Sequence, residues 1–376
     1  MMRYLLLILL FCSFQFRAQS RIEAIVLDAE TRKPLEFVDV YNSKNYTSTN
    51  SDGRFEFTTN GDTIKFNRLG YVSKSFAISA IIGDTIYLNQ AAESLDEVHL
   101  LDKGIYKKMI DHLEDNYPIH PYKERFFLRA IVEKDGHITK LADANGKLER
   151  QRLLGDLKTD QRPRKNYTIE IENLRKAEIR EDDIEFIFPS FERYFDLSSL
   201  IVSLSDSVQV ELSNYGDDLV KLYVHKEASE AYLIINTENY AVEESYIKIG
   251  YPDAEFETGK NTENRTLYNI FHSFYKKLPN EKYILIKSFH EAAIECKYEN
   301  KMFTYIQRIN YLSNDHFGNF EVNRNIRAKK DIFNVGTKYI SGFWDDQNQL
   351  LLTKEMQAFI EKVKAGDSDF KIKSNF

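Results

Sequence analysis

Apolar and polar positions alternate with a period of two through most of the first hundred residues, the signature of strands with one buried face. Ile22 to Leu27 is an apolar run rich in β-branched residues, suited to a buried strand. Val38 and Val40 share one face of the next run, and Phe37, Asp39 and Tyr41 share the other. Phe55 pairs with Phe57, and Ile64 with Phe66, in the same way. Ile86-Tyr87-Leu88 closes the set. Between these runs lie turn formers: Asp28 to Pro34, Asn50-Ser51-Asp52-Gly53, Asn60-Gly61-Asp62 and Leu69-Gly70-Tyr71. Short strands at this spacing predict a β-sandwich over residues 21–100.

The period then changes. Tyr106, Ile110, Leu113 and Tyr117 lie at helical spacing, and Pro118 and Pro121 follow. This predicts a helix linking two regions over 101–122. Residues 123–376 then read as a larger antiparallel β-rich domain. VQVEL, LVKLYVH, AYLIINT, AVEESYIKI, KYILIKSF, AAIECKY and MFTYIQRINYL are its clearest strands, and one or two more are expected between Phe320 and Lys338. Two helices are expected within it. One covers Thr262 to Leu278; the other covers Thr353 to Lys364, with Met356, Phe359, Ile360 and Val363 on one side. The expected fold class is mainly β with a few helices (α+β).

The first region resembles the carboxypeptidase-regulatory-like domain. The likeness is carried by Asp28, Thr31, Pro34, Leu35, Val38 and Val40, then Thr49, Asp52, Gly53, Phe55 and Phe57. It continues through Gly61, Asp62, Ile64, Phe66, Leu69, Gly70 and Tyr71 to Ile86, Leu88, Leu95, Asp96, Glu97 and Val98. It implies a transthyretin-like or immunoglobulin-like sandwich. Members of that family sit beside peptidases or ahead of outer-membrane transporters in Gram-negative bacteria, and the domain itself has no catalytic role. After the sandwich, Asn116, Tyr117, Pro118, Phe126, Phe127, Arg129, Asp135 and Gly136 are similar to a region of secreted proteins with the same two-part layout. That likeness brings no activity with it. Ile234 to Ile249 also resembles the strand–turn–strand units of periplasmic lipoprotein carriers, in which a curved sheet wraps an apolar space.

Residues 1–20 have Arg3, an apolar run from Leu5 to Phe11 and a small-residue end. They read as a secretory signal peptide, with cleavage after Ala18 or Ser20. Cys12 follows the bulky Phe11, a poor fit to lipoprotein processing. Two arginines and no acid leave with the leader, taking the net charge from -7 to -9. Such a chain is a poor match for nucleic acid or anionic membranes. Cys296 then stands alone, so no internal disulfide forms. No later stretch approaches the about 20 apolar residues of a spanning helix, and the later strands read as too few and too charged for a membrane barrel.

Chemistry is sparse. The eight histidines (His99, His112, His120, His137, His225, His272, His290 and His316) have no metal-motif spacing. Ile294 stands where a second histidine would complete a zinc motif begun by His290-Glu291. No nucleophile elbow or phosphate loop is present. No enzyme, cofactor or metal is expected. Lys147 to Lys165 is rich in Lys and Arg and reads as a solvated loop. The densest aromatic cluster, at 186–195, offers Phe186, Phe188, Phe191, Tyr194 and Phe195 as a candidate ligand or partner surface that could cap an apolar cavity. Two functions follow as expectations. The first is a non-catalytic interaction module of the periplasm or outer-membrane periphery with an envelope protein as partner. The second is a periplasmic carrier of an apolar ligand such as a lipid.

Overall fold

The computed structural model describes residues 20–43, 45–81, 84–91, 99–100, 104–154, 167–179, 188–197, 209–215, 218–226, 228–259, 262–336, 343–344, 350–365 and 373–374. The expected leader, apart from Ser20, lies outside them, as do residues 155–165 of the basic stretch. The chain is mainly β, with few helices and a large antiparallel sheet. It forms two compact units: Met1–Ala91 with Gly342–Lys354, and Ala92–Ser341 with Glu355–Phe376.

The first unit stacks two small sheets. Strands β1 (Ser20–Asp28), β4 (Arg54–Thr59) and β7 (Thr85–Leu88) form one, in the order β4-β1-β7, with β1 and β7 parallel. Strands β2 (Asp39–Tyr41), β3 (Tyr46–Ser48), β5 (Thr63–Asn67) and β6 (Lys74–Ala77) form the other, in the order β3-β2-β5-β6. Val26, Val38, Val40, Phe55, Phe57, Ile64, Phe66 and Leu88 make a shared core and are fully buried. The polar residues of the family likeness act as ties. The Asp28 carboxylate accepts from the backbone of Glu30 (2.9 Å) and Thr31 (2.6 Å), from the Tyr71 hydroxyl (2.9 Å) and from Gln90 (3.0 Å). Backbone donation from Thr31 leads these bonds in holding its pKa far below the usual carboxylate range, against the opposing cost of desolvation. Gly53 is required by its turn: its φ is +72°, and a Cβ there would lie 2.6 Å from the Val26 carbonyl oxygen.

The second unit is built on one antiparallel sheet of thirteen strands among the described residues. They are β8 (His99–Leu100), β9 (Tyr122–Lys134), β10 (His137–Arg150), β11 (Tyr167–Glu178), β12 (Gln209–Asn214), β13 (Leu219–Lys226), β14 (Ser229–Asn236), β15 (Val242–Gly250), β16 (Glu257–Thr258), β17 (Glu263–Lys277), β18 (Tyr283–Tyr298), β19 (Lys301–Asn314) and β20 (Lys373–Ser374). Their order is β20-β11-β10-β9-β19-β18-β17-β15-β14-β13-β12-β8, with β16 beside β17. Asp135 (φ +50°) and Gly136 (φ +81°) form the two-residue turn joining β9 to β10.

Strand pairing divides the side chains into two faces. The inner face carries Leu222, Leu233, Ile235, Phe271, Leu285, Ile309, Phe126, Leu128, Leu174 and Ile169, all in one core cluster. The outer face carries most of the charge. Tyr275 on β17 and Arg150 on β10, four strands apart, share the inner face. Helices α1 (Gly104–Asp111), α2 (Leu113–Asn116) and α3 (Phe191–Leu197) contribute Met109, Leu113, Phe191, Tyr194, Phe195 and Leu197 to the inner cluster. Helix α4 (Lys354–Ala365) buries Met356, Phe359, Ile360 and Val363, the stripe expected of it, and Met356 meets Arg129 of the outer face.

Four expectations are corrected. The stretch Thr262 to Leu278 is not a helix but strand β17, hydrogen-bonded to β15 and β18 along its two edges. Two full ladders outweigh a spacing of apolar residues that suits either element. KYILIKSF and AAIECKY are one continuous strand, β18. No strand forms among the described residues 320–336: the Asn325 side chain instead bonds the backbone of Ile171 on β11 (2.9 and 2.8 Å). The later strands are also not few. Within the basic stretch, Lys147 and Arg150 end strand β10: Lys147 pairs with Glu170 and Glu172, and Arg150 is fully buried.

Candidate functional site

The inner face places a small polar set beneath α3. Arg150 and Glu124 are diagonal neighbours in the β9–β10 ladder, Glu124 standing opposite Leu148, and both are fully buried. The Arg150 guanidinium donates from Nε to Glu124 Oε1 (2.5 Å), from Nη2 to the Tyr311 hydroxyl (3.2 Å) and from Nη1 to the Phe195 carbonyl (3.4 Å). Its plane also lies 5.2 to 5.7 Å from the rings of Phe195, Tyr311 and Tyr167. Glu124 accepts further from Tyr311 (2.7 Å) and, at Oε2, from Ser313 (2.8 Å). Burial opposes its charge, but Arg150 and His316 hold the carboxyl below its usual range. His316 Nε2 is 2.6 Å from Ser313 Oγ and 4.0 Å from Glu124. Burial pushes its pKa down to about 4, against the pull of Glu124 and Asp315. In this set Ser313 bridges the carboxylate and the imidazole, whereas a hydrolase triad places the imidazole between the other two.

Helix α3 lies over this set. Ser190 caps it by accepting from the Arg193 amide (3.2 Å), and the Lys330 and Ala328 carbonyls accept from the amides of Phe191 and Glu192. Tyr194 meets Ser288 on β18 at 3.0 Å. Phe195 packs against Phe126, Tyr167 and Tyr311 at centroid distances of 5.3 to 5.8 Å. The aromatic residues singled out in the sequence are therefore brought together as follows. Phe191, Tyr194 and Phe195 lie in α3 against the inner face; Phe188 stands edge-on to Phe333 at 5.1 Å; Phe186 lies outside the described residues. All four described members are buried.

Four buried polar atoms on the inner face have no hydrogen-bond partner: the Tyr122 and Tyr275 hydroxyls, His290 Nδ1 and Gln307 Oε1. Tyr122 is the register partner of Arg150 and is 3% exposed. His290 stacks on Phe271 (4.7 Å), and burial takes its pKa down to about 4. Sequence reasoning missed Glu124, Arg150, Tyr122 and His316. Their one local signal is Glu124 alternating in phase with Tyr122 and Phe126 on a strand whose even positions are core.

The outer face presents a different feature. Tyr223, Tyr232, Tyr246, His272 and Phe289 occupy one register line across β13, β14, β15, β17 and β18. The line continues through Asn310, Arg129, Asp143 and Arg175. Tyr232 donates to Glu244 (2.6 Å), and His272 Nε2 is 2.7 Å from the same oxygen. The aromatic half of the line is half-buried, whereas Arg129 and Asp143 are fully enclosed. No group of three or more His, Cys, Asp or Glu side chains suited to a metal occurs among the described residues. Nor, among them, is any helix long and apolar enough to cross a membrane.

No protein-family model matches this chain, and no curated protein is detectably similar. A solved structure titled "Lipid-protein interactions in lipovitellin" is similar over 65% of this chain and 30% of that one, at 10% identity and a TM-score of 0.22. This chain thus spans less than a third of that protein's length.

Proposed function

We propose that this chain is a secreted, non-catalytic protein of the cell envelope whose larger unit binds an apolar or amphipathic molecule, such as a lipid, on the inner face of its sheet. Helix α3 is the cap. The observation that carries this reading is the set of unmet polar atoms on a largely apolar wall: Tyr122, Tyr275, His290 and Gln307. Each unsatisfied buried group costs about 1–3 kcal/mol, and such groups in a native fold call for a missing partner. An amphipathic guest supplies apolar contact and hydrogen bonds together. The wall is closed in this structure, so entry requires α3 to lift, releasing the Phe195 carbonyl from Arg150 and Tyr194 from Ser288.

The test is native mass spectrometry of the full chain, secreted into a periplasm and purified without detergent. A reproducible extra mass that extracts into organic solvent is expected. A bare polypeptide mass, both as purified and after incubation with lipid vesicles, would sink the reading.

A second reading is an envelope interaction module. The half-buried aromatic line on the outer face favours it, together with the sandwich's likeness to accessory domains. A photo-reactive residue at Tyr246 would capture the partner in intact cells; capture of nothing there would remove this reading.

A further inference from the structure

Resting on the binding reading above, we infer that the guest's polar end is electrically neutral, carries both a hydrogen-bond donor and an acceptor, and docks at Tyr122. An alcohol, ester or amide head on an acyl chain fits; a free fatty acid does not. The argument is one of charge balance in a place that water does not reach.

Arg150 is the cation of this site, and its charge is already used. Glu124 binds its Nε, Tyr311 and the Phe195 carbonyl take its two terminal nitrogens, and three aromatic rings surround the plane. A second carboxylate would have to displace Glu124, which is itself fully enclosed. A cationic head fares no better, because both oxygens of Glu124 already accept from Arg150, Tyr311 and Ser313. The other enclosed titratable groups carry no charge at neutral pH. Burial keeps His316 neutral, and it raises the phenols of Tyr122, Tyr167, Tyr275 and Tyr311. Outside the enclosed set, Arg125 pairs with Glu172 at 2.7 Å and with Asp315 at 3.4 Å, and the exposed Asp196 accepts from Tyr167 at 2.8 Å. The charges of the enclosed set therefore sum to zero.

What the set does offer is a free hydroxyl at Tyr122, with a second, that of Tyr275, on the same face. Tyr122 is enclosed, has no partner and shares the inner face with Arg150. Its ring lies against Phe317 at 5.2 Å, which fixes where the hydroxyl sits. A phenol both donates and accepts, so it matches a head group that does the same.

The experiment compares a monoacylglycerol with the free fatty acid of the same acyl chain, each added to the full chain at neutral pH below its micelle concentration. Wild type and Tyr122→Phe are measured side by side. Wild type is expected to bind the monoacylglycerol about tenfold more tightly than the acid, and Tyr122→Phe to erase most of that gap. Thermal melting checks that the variant, which keeps its ring, is folded. Equal or tighter binding of the acid by wild type would overturn the neutral-head inference while leaving the binding reading in place. A gap that survives in Tyr122→Phe would overturn Tyr122 as the dock. Binding of neither probe, with a bare mass in the spectrometer, would overturn both readings at once.

Discussion

Strands β9 and β10 carry two buried ion pairs on opposite faces, and the two are built differently. On the outer face, Asp143 receives Arg129 at 2.7 and 2.9 Å and Arg175 at 2.7 and 3.0 Å. Burial opposes the Asp143 charge, but the two guanidiniums hold its pKa below the ordinary value. That cluster sets two cations on one carboxylate and sits under α4. On the inner face, Glu124 has one guanidinium, and hydroxyls from Tyr311 and Ser313 complete its shell. A free phenol lies beside it. Redundant pairing is what a structural clamp needs. A single pair with leftover hydrogen-bonding capacity is what a binding site needs.

Removing the arginines separates the two. Arg150→Met strands Glu124 as a buried, unpaired charge and is expected to cost about 3–5 kcal/mol. Arg129→Met leaves Asp143 with Arg175, and its cost should be nearer 1–3 kcal/mol. Calorimetric unfolding of the two variants reads the difference. Equal losses would mean that Arg175 gives Asp143 no redundancy and that the contrast between the faces is false.

Acid sharpens the same contrast. His316 and His290 both lie on the inner face, with folded pKa values of about 4 against 6.5 when unfolded. The unfolded chain therefore binds more protons between these values, and stability must fall as pH drops from 6.5 to 4. Each histidine contributes up to about 3 kcal/mol of that loss. His316→Asn should flatten the slope in this window and leave it unchanged above pH 7. Arg129→Met should keep the wild-type slope, because no histidine faces Asp143 across the β9–β10–β11 ladders. A variant lacking His316 with an undiminished slope would place the acid sensitivity elsewhere.

The sandwich and the clamp helix were legible in the sequence because their signals are local. The turn Asn50-Ser51-Asp52-Gly53 bonds itself, with Asn50 accepting from the amides of Asp52 and Arg54. The α4 stripe closes within four turns. Strand β17 was not legible. A bulge between Thr266 and Tyr268 interrupts its alternation, leaving Leu267, Phe271, Phe274 and Tyr275 at spacings that mimic a helix. The aromatic cluster at 186–195 was visible, but not what it covers. Arg150 reads as one cation of a basic loop until the ladder brings Glu124, 26 residues away, against it.

The smallest expected effect bears most closely on the binding site. Two tyrosines, Tyr122 and Tyr311, stand near the same carboxylate, and they differ in what their hydroxyls do. Tyr311 donates to Glu124 at 2.7 Å. Tyr311→Phe removes a hydrogen bond to a charged group and should destabilise the protein by about 1.5–3 kcal/mol. The Tyr122 hydroxyl donates to nothing, so Tyr122→Phe removes a desolvated group without breaking a bond. The empty protein should then gain up to about 1 kcal/mol. A residue kept for packing alone would be better as phenylalanine, so a gain in stability here marks a hydroxyl retained for another purpose. Urea midpoints of the two variants decide the matter. A loss at Tyr122 as large as that at Tyr311 would show that its hydroxyl is satisfied within the fold, and the inner face would then have no opening for a polar head.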